Sequence, residues 1–341
     1  MIAAVLKEAG VLEIDNNYPL RKLNKGEVLL KVACCGVCGT DKHIYNGKAP
    51  SNLPVILGHE YSGTIADFAE DVTEFQIGDK AVIEPNIYCG YCSECRKGNI
   101  HFCKNHQALG VTRNGGFAEY SVVPFTQVYQ LPQDIDFSIA SFAEPLSCCL
   151  RGIHHAGIKP SDSVIVVGGG SIGLIMIQLA KLAGALKIIL IEPEINKQEL
   201  GLKLGADFSL SPFENNIVQS VYDYTNGGAD VVIECAGKKE AVELSVKLTA
   251  KGGKVVIFGL SAKDEKVTLD LQYLFHKEIQ IHNSYLNPFT FSKAVDLIIS
   301  NKIQFSTLVT KQVRLENIHD VFELNNKSFI IKQQVLTKSK E

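Results

Sequence analysis

The chain has 341 residues, of which 46% are hydrophobic and 21% charged, a composition typical of globular proteins that excludes a disordered or fibrous one. Its 34 basic and 37 acidic side chains leave a net charge of -3, and no basic stripe supports nucleic-acid binding. The chain shows no signal-peptide pattern and no run of about eighteen apolar residues, so we expect a cytoplasmic protein outside the membrane.

The first part of the chain, up to about residue 145, has short apolar runs separated by Gly, Pro and Asn, which predicts strands joined by turns. From Leu146 onward, strand patterns alternate with helix patterns, which predicts parallel βαβ units in a doubly wound α/β sheet. The predicted strands are 28–32, 63–66, 80–83, 117–123, 163–167, 187–191, 230–234, 254–258, 278–283 and 330–336. The predicted helices are one that the glycine-rich turn opens and Gly184 ends, then 196–204, 239–248 and 289–301.

A glycine-rich turn connects the strand 163–167 to the helix that follows it. The turn contains Gly168, Gly170 and Gly173, with Ser171 and Ile172 at the start of the helix. Glycine allows a tight turn, close approach of a pyrophosphate and close packing of helix on strand. The helix N-terminus also presents free N–H groups to phosphate oxygens. The segment therefore predicts a dinucleotide site.

An acidic residue at the end of the second strand of this sheet bears on which dinucleotide binds. Glu192 follows the strand 187–191, nineteen residues beyond Gly173. A carboxylate at this place accepts hydrogen bonds from the adenosine ribose and repels a 2′-phosphate, which favours NAD over NADP. Lys197 is a further candidate for contact with the same ribose, or a surface lysine.

Four of the ten cysteines lie in one short segment and predict a metal site. They are Cys89, Cys92, Cys95 and Cys103. Four thiolates in one loop suit a tetrahedral zinc ion that is closed to solvent and therefore structural. An iron–sulfur cluster or an oxidised pair of cysteines are the alternatives, and zinc is favoured over both.

A second, more dispersed set of metal-binding residue types comprises Cys38, His59 with Glu60, and Glu144. One thiolate, one imidazole and one carboxylate can hold zinc and leave a fourth position open, as a catalytic site requires. The combination with the dinucleotide turn and the four-cysteine loop makes this assignment the favoured one.

These motifs, together with the segment Gly115-Gly116-Phe117-Ala118-Glu119-Tyr120, resemble the zinc-dependent medium-chain alcohol dehydrogenases over essentially the whole chain. Glu144-Pro145-Leu146 resembles the polyol branch, which includes sorbitol and galactitol-1-phosphate dehydrogenases and, more distantly, threonine dehydrogenase. The resemblance implies a GroES-like β-barrel catalytic domain at 1–145, completed by 286–341, and a Rossmann NAD-binding domain at 146–285. It also implies a homodimer or homotetramer.

Site roles also follow from the resemblance. Cys38, His59 and Glu144 are implied as ligands of the catalytic zinc, and Glu60 as a carboxylate that can also approach the metal. Asp41 is implied as the hydrogen-bonding partner of the zinc histidine. Thr40 would lie beside the substrate hydroxyl, and His43 would pass the proton to solvent.

The expected function is oxidation of a secondary hydroxyl of a polyol, a sugar (free or phosphorylated) or a cyclitol, with NAD and two zinc ions per subunit. Three alternatives remain open at this point. They are a threonine-type dehydrogenase of 3-hydroxy amino acids, a zinc-free quinone or enone reductase on the same fold, and a relative without catalytic activity.

Overall fold

The chain divides into two units, each with its own sheets and its own cluster of buried apolar side chains. One unit is Met1–Ser147 with Pro288–Glu341, and the other is Cys148–Asn287. The structure is a computed structural model that describes residues 1–322 and 329–337, so parts of the predicted C-terminal segment lie outside the described residues. No helix in the described part of the chain is long and apolar enough to cross a membrane.

The N-terminal part of the first unit is built mainly from antiparallel strands. The strands are β1 (Ala3–Glu8), β2 (Val11–Asp15), β3 (Glu27–Val37), β4 (Val55–Ile56), β5 (Glu60–Phe68), β6 (Lys80–Ile83), β7 (Asn86–Ile87), β8 (Gln107–Ala108), β9 (Tyr120–Pro124) and β10 (Val128–Leu131). The helices are α1 (Gly39–Tyr45), α2 (Ser93–Arg96) and α3 (Phe137–Ala140), and α4 (Ala143–Ala156) begins in the first unit and ends in the second.

The second unit alternates strands and helices. Its strands are β11 (Ser163–Val167), β12 (Lys187–Ile191), β13 (Phe208–Leu210), β14 (Ala229–Glu234), β15 (Thr249–Ile257) and β16 (Gln280–Asn283). Its helices are α5 (Ser171–Leu182), α6 (Ile195–Leu204), α7 (Ile217–Thr225), α8 (Lys239–Leu248) and α9 (Leu271–Lys277). The chain then returns to the first unit with α10 (Phe291–Ile299), β17 (Val309–Arg314), α11 (His319–Phe322) and β18 (Lys332–Leu336).

The largest sheet of the first unit has the strand order β10-β6-β5-β3-β18-β17, and β9 also pairs with β3. The central strand β3 is buried along most of its length because its apolar side chains contribute to the core around Leu30, Tyr61 and Phe117. Strand β3 ends at Val37 and its neighbour β5 begins at Glu60. The segments around Cys38 and His59 therefore lie at the same end of two paired strands.

The second unit confirms the predicted doubly wound parallel sheet. Its six strands follow the order β13-β12-β11-β14-β15-β16, and every pairing between them is parallel. The order reverses between β11 and β14, and ligands of such sheets bind in the crevice outside the carboxyl ends of the strands at that point. The glycine-rich turn follows β11 directly, so the topology places it at this crevice.

Several predicted boundaries are wrong, and the backbone gives the reasons. The predicted helix 289–301 is shorter because Phe289 and Asn301, with φ of 60° and 51°, have left-handed conformations that helices do not contain. The predicted strand 278–283 begins only at Gln280, because Glu278 is the left-handed C-cap of α9. The predicted strand 330–336 begins at Lys332.

Three further elements, β3, β9 and α4, also differ from the prediction. Strand β3 extends beyond 28–32 to Val37, because its small residues pair with both β5 and β18. The predicted strand 117–123 begins at Tyr120. Helix α4 was not predicted, and Pro145 is accommodated in its first turn, where backbone N–H groups have no partner within the helix.

Candidate functional site

One thiol, one imidazole and one carboxylate meet in the first unit. Donor atoms of Cys38, His59 and Glu60 all lie within 4.8 Å of one another. His59 and Glu60 are buried, with 6% and 1% of their surface exposed, and Cys38 is half-buried. This donor set is the chemistry that zinc prefers, so the residues present fit the metal.

Asp41 joins the two segments that form this cluster, the start of α1 and the stretch Gly58-His59-Glu60. Its Oδ2 accepts the backbone N–H of Cys38 at 2.8 Å, and its Oδ1 lies 3.3 Å from Nδ1 of His59. The same Oδ1 accepts the backbone N–H of Gly58 at 3.3 Å. A carboxylate beside Nδ1 orients the ring and would leave Nε2 as the nitrogen available to a metal ion. The contact places Asp41 beside His59, and its role as the partner of a zinc-bound histidine stays a prediction.

The residue before His59 has to be glycine. Gly58 has a φ of +88°, and a Cβ at this position would lie 2.7 Å from both Cys35 Sγ and a ring carbon of Phe117. Any other residue would therefore strain the backbone and displace core side chains. The glycine at position 58 thus fixes the backbone from which the His59 imidazole and the Glu60 carboxylate extend.

The electrostatic environment of His59 is dominated by anionic neighbours. Burial by itself lowers the pKa of His59, but the Asp41 carboxylate and the Cys38 thiol outweigh it and raise that pKa well above its usual range. Negative charge beside an imidazole stabilises a positive charge on it, whether that charge is a proton or a metal ion that replaces the proton. The site therefore favours a positive charge at the place where the three donor atoms meet.

The structure does not bring Glu144 into this close group. Glu144 lies in the first turn of α4 and is buried, with 8% of its surface exposed. Its charge nevertheless acts on Lys332, which contacts Glu60. In the described residues, the carboxylate within 4.8 Å of both Cys38 and His59 donor atoms is that of Glu60.

Lys332 is a residue of the site that the sequence analysis missed. Its ammonium group forms an ion pair with Glu60 Oε2, and its side chain is only 4% exposed. The signal was a lysine inside the predicted strand 330–336, since a lysine is rarely buried without a partner. The partner of Lys332 is set by the pairing of β18 with β3. This pairing cannot be read from the local sequence.

Thr40 and His43 lie on α1, which begins directly after Cys38. Both side chains are half-buried. Thr40 lies in the first turn of α1, two residues after Cys38, and His43 lies nearly one turn further along the helix. Their roles in proton transfer stay a prediction.

The four-cysteine segment folds into a separate small cluster. The Sγ atoms of four cysteines all lie within 4.8 Å of one another: those of Cys89, Cys92, Cys95 and Cys103. Backbone N–H groups point at the sulfurs, from Cys89 to Cys103 at 3.3 Å and from Cys92 to Cys89 at 3.4 Å. All ten cysteines lie in the described residues and are free thiols, so the oxidised pair is not formed in this structure.

The backbone donors also change the acidity of one thiol. The N–H groups of Cys95 and Lys104 lower the pKa of Cys92 to about 6. A thiol with this pKa is largely a thiolate at neutral pH, and thiolates are the form that binds metals. Burial instead raises the pKa of Cys95 to about 12, so the fit rests on geometry: four sulfurs within 4.8 Å of one another suit one tetrahedral zinc ion with no position left for a substrate.

The glycine-rich turn in the second unit has the form that a pyrophosphate requires. Gly168 has a φ of +103°, and a Cβ on Gly173 would lie 1.8 Å from the carbonyl oxygen of Gly168. Gly170 is the N-cap of α5, and nothing lies within 4 Å of the place that its Cβ would take. Ser171 and Ile172 form the first turn of that helix. The turn leaves open space at a helix N-terminus, which fits a phosphate group.

Glu192 is tied to this turn. Its Oε2 accepts the backbone N–H of Gly169 at 2.5 Å, and its Oε1 accepts that of Glu194 at 3.0 Å. Only 4% of Glu192 is exposed. Lys197 forms an ion pair with Glu194 at 2.6 Å, so its ammonium group has a partner other than Glu192. The Glu192 carboxylate is thus held in a fixed position beside the turn.

Comparison with protein families identifies both parts of the chain. Residues 24–133 match the alcohol dehydrogenase GroES-like domain, and residues 171–300 match the zinc-binding dehydrogenase domain. Together with the parallel sheet, these matches confirm the predicted fold class of a GroES-like domain and a Rossmann domain.

Known proteins resemble the chain over most of its length. L-threonine 3-dehydrogenase of Pyrococcus horikoshii is 34% identical, with 93% of this chain and 91% of the relative covered. Sorbitol dehydrogenase of Halalkalibacterium halodurans is 35% identical, over 84% of this chain and 85% of the relative. A zinc-binding dehydrogenase of Sinorhizobium meliloti, solved with NADP bound, is 36% identical with a TM-score of 0.95, over 98% of each chain.

Proposed function

Because the chain belongs to the polyol branch of the zinc-dependent medium-chain alcohol dehydrogenases, we propose that it oxidises a secondary hydroxyl of a polyol, sugar or cyclitol with NAD. The observation that carries the proposal is the group formed by Cys38, His59 and Glu60. Such a donor set holds zinc with a position open to substrate, and an open zinc ion supplies Lewis-acid activation of a hydroxyl group.

In this proposal, the residues of the first unit have different roles in the reaction. Cys38 and His59 hold the metal, with Glu144 or Glu60 as the carboxylate ligand, and Asp41 keeps the imidazole oriented. The hydroxyl of Thr40 accepts the proton of the substrate hydroxyl and passes it towards solvent, and His43 takes it up there.

The second unit binds the dinucleotide. The turn formed by Gly168, Gly170, Ser171, Ile172 and Gly173 would hold the pyrophosphate, and NAD would supply the hydride acceptor. Glu192 accepts hydrogen bonds from the adenosine ribose, and its fixed negative charge disfavours a 2′-phosphate. Lys197 lies on α6 near this place and is a second candidate contact, although its ammonium group pairs with Glu194.

The four-cysteine cluster holds a second, structural zinc ion, so the proposal implies two zinc ions per subunit. Assembly as a homodimer or homotetramer also belongs to the proposal. It is supported by the large exposed side chains of Leu271 and Phe275, which are 77% and 79% exposed. Light scattering after size-exclusion chromatography measures the assembly.

A second candidate function is oxidation of L-threonine or a similar 3-hydroxy amino acid. The specific observation in its favour is the similarity to the L-threonine 3-dehydrogenase of Pyrococcus horikoshii. Both functions use the same metal and dinucleotide sites. They differ only in the groups that flank the reacting hydroxyl, and direct assay separates them.

The metal content of purified protein tests the proposal. Freshly purified protein should contain two zinc ions per chain, and His59→Ala should contain one and lose alcohol oxidation. Glu192→Ala serves as the control for metal content, because its carboxylate lies on the dinucleotide turn, and it should retain both ions. Fewer than two zinc ions in the unmodified protein would favour a zinc-free reductase, and two zinc ions without any activity a non-catalytic relative.

A further inference from the structure

A buried carboxylate ends strand β14 in the second unit. Glu234 is the last residue of this strand, and none of its surface is exposed. Its Oε1 accepts the backbone N–H groups of Ala236 and Gly237, each at 2.7 Å. Its Oε2 is also buried and has no hydrogen-bond partner among the described residues. The side chain thus fixes the loop that follows its own strand.

Three loops at the carboxyl end of the parallel sheet are packed too closely for side chains between them. They follow β11, β14 and β15, which are neighbours in the sheet. A Cβ on Gly168 would lie 3.0 Å from the backbone nitrogen of Ala236. A Cβ on Gly259 would lie 2.2 Å from the nitrogen of Gly237 and 2.8 Å from Glu234 Oε2. The loop after β14 therefore lies between the glycine-rich turn and the loop after β15, and Glu234 holds it there.

Stability alone does not explain a carboxylate at this position. Burial raises the pKa of Glu234, and the N–H groups of Gly237 and Ala236 lower that pKa without cancelling the effect of burial. A buried carboxylate with an unpartnered oxygen costs free energy, and an apolar side chain would avoid the burial of a charge. The carboxylate therefore points to a requirement for a rigidly held loop.

Two buried carboxylates lie on opposite sides of the glycine-rich turn. Glu192, which follows β12, holds the turn itself through the backbone N–H of Gly169. Glu234 holds the loop on the side of β14. Strands β12 and β14 flank β11, and a dinucleotide bound across this crevice has one nucleoside on each side of the turn. In the proposed function the adenosine lies with Glu192, which leaves the nicotinamide nucleoside for the side of Glu234.

We propose that Glu234 is a positioning residue for the nicotinamide half of the dinucleotide. It fixes the loop 235–237 against the glycine-rich turn and the loop after β15, so that this half meets a preformed surface and no loop has to be ordered on binding. The inference rests on the proposed function, since it presumes a dinucleotide on the glycine-rich turn. It gives the two carboxylates separate tasks, Glu192 for the adenosine half and Glu234 for the nicotinamide half.

Binding of NADH and of ADP to the full-length protein separates the two tasks, because ADP has the adenosine and both phosphates but no nicotinamide nucleoside. Isothermal titration calorimetry measures both dissociation constants without any turnover. Glu234→Met keeps the length and removes the acceptor, so the N–H groups of Ala236 and Gly237 lose their partner. We expect NADH binding to weaken by about tenfold or more, and ADP binding to change by less than about twofold.

The conservative variant should rescue part of this loss. Glu234→Gln keeps a carbonyl oxygen for the same two N–H groups, but a neutral amide oxygen is a weaker acceptor than a carboxylate oxygen. Its affinity for NADH should therefore lie between those of the unmodified protein and Glu234→Met, with ADP binding again unchanged.

Variants of two other carboxylates control the test. Glu192→Ala should weaken NADH and ADP binding by similar factors, because both ligands contain the adenosine that Glu192 contacts in the proposed function. Asp230→Leu removes a carboxylate at the opposite end of β14, where it accepts the backbone N–H of Ser163 at 2.8 Å. This variant should lower the thermal stability and leave both dissociation constants unchanged.

Similar losses of NADH and ADP binding in Glu234→Met would show a general defect of the turn and would overturn the inference, as would unchanged binding of both ligands. If Glu234→Met does not fold, Glu234→Gln decides, and an unchanged ratio of its two dissociation constants would overturn the inference. If the unmodified protein binds neither NADH nor ADP, the proposed dinucleotide site itself is wrong, and the inference fails with it.

Discussion

Thr40 is the residue whose role depends on a single oxygen atom. Replacing it with valine keeps its volume and removes the hydroxyl that follows Cys38 at the start of α1. We expect Thr40→Val to lower the rate of alcohol oxidation by roughly two to four orders of magnitude, the usual contribution of a positioned proton-transfer group. Steady-state kinetics measure the rate, while zinc content and NAD binding should be unchanged. Near-normal turnover with rate-limiting hydride transfer would mean that the proton leaves by another route.

His43 should be less critical than Thr40. It is half-buried on the same helix, and water or buffer can replace a base that faces solvent. His43→Ala should therefore lower the rate less than Thr40→Val, and added imidazole should restore part of it. A loss as large as that of Thr40→Val, without rescue by imidazole, would contradict this account of the proton route.

Glu192 should determine the choice between the two dinucleotides. Its carboxylate is fixed by the N–H groups of Gly169 and Glu194, so it cannot easily move away from a 2′-phosphate. We expect a higher kcat/KM with NAD than with NADP, and a smaller ratio in Glu192→Ala. The similar Sinorhizobium meliloti protein was solved with NADP, which makes this comparison informative. An equal or better kcat/KM with NADP in the unmodified protein would refute the assignment.

At the scale of elements, the four-cysteine segment should stabilise the fold and take no part in the reaction. Cys95 is buried in this cluster, and Cys95→Ser should reduce the zinc content by one ion. The thermal midpoint should fall by roughly 5 °C or more, as the loss of a few kcal/mol does in a chain of this length. Hydride transfer in the folded fraction should persist. Ser93→Ala, an exposed position in the same short helix, is the control that should keep both metal and stability.

A Cys95→Ser protein that is stable but has lost catalysis would contradict this prediction. It would mean that the cluster takes part in the reaction. Calorimetry combined with metal analysis of the same samples separates the two outcomes.

Alanine substitutions of the two glycines that flank the start of α5 should have different effects, one on stability and the other on NAD binding. A Cβ on Gly173 meets the carbonyl of Gly168 at 1.8 Å, so Gly173→Ala should cost about 1–3 kcal/mol of stability. A Cβ on Gly170 meets nothing within 4 Å, so Gly170→Ala should fold normally and weaken NAD binding. Urea unfolding without cofactor and NAD titration measure the two effects. Equal stability of both variants would contradict the packing argument.

The elements of the second unit were more predictable than those of the first. Strands β11 and β12 and helix α8 have the predicted boundaries, because continuous β-branched runs and one-face apolar spacing are strong local signals. Strand β3 was predicted too short because Ala33 and Gly36 carry little strand signal. Its extension to Val37 depends on neighbours that are distant in sequence.

At the scale of the whole molecule, the metal-binding residue types were recognisable from the sequence, but their relative positions were not. Cys38, His59 and the four-cysteine segment lie in short motifs made of residue types that bind metals. The choice between Glu60 and Glu144, and the presence of Lys332, depend on strand pairings between segments almost 300 residues apart. Such pairings cannot be read from the local sequence. The fold is needed to show that β18 brings the ammonium group of Lys332 to the site.

The reaction itself is the central claim, and the most direct measurement is the rate of NADH formation by zinc-replete protein over a panel of alcohols. The panel includes sorbitol, D-arabinitol, myo-inositol, galactitol 1-phosphate and L-threonine, each with NAD and with NADP. We predict the highest kcat/KM for a polyol, sugar or cyclitol with NAD. The highest kcat/KM for L-threonine, or no NADH formation with any member of the panel, would contradict the account.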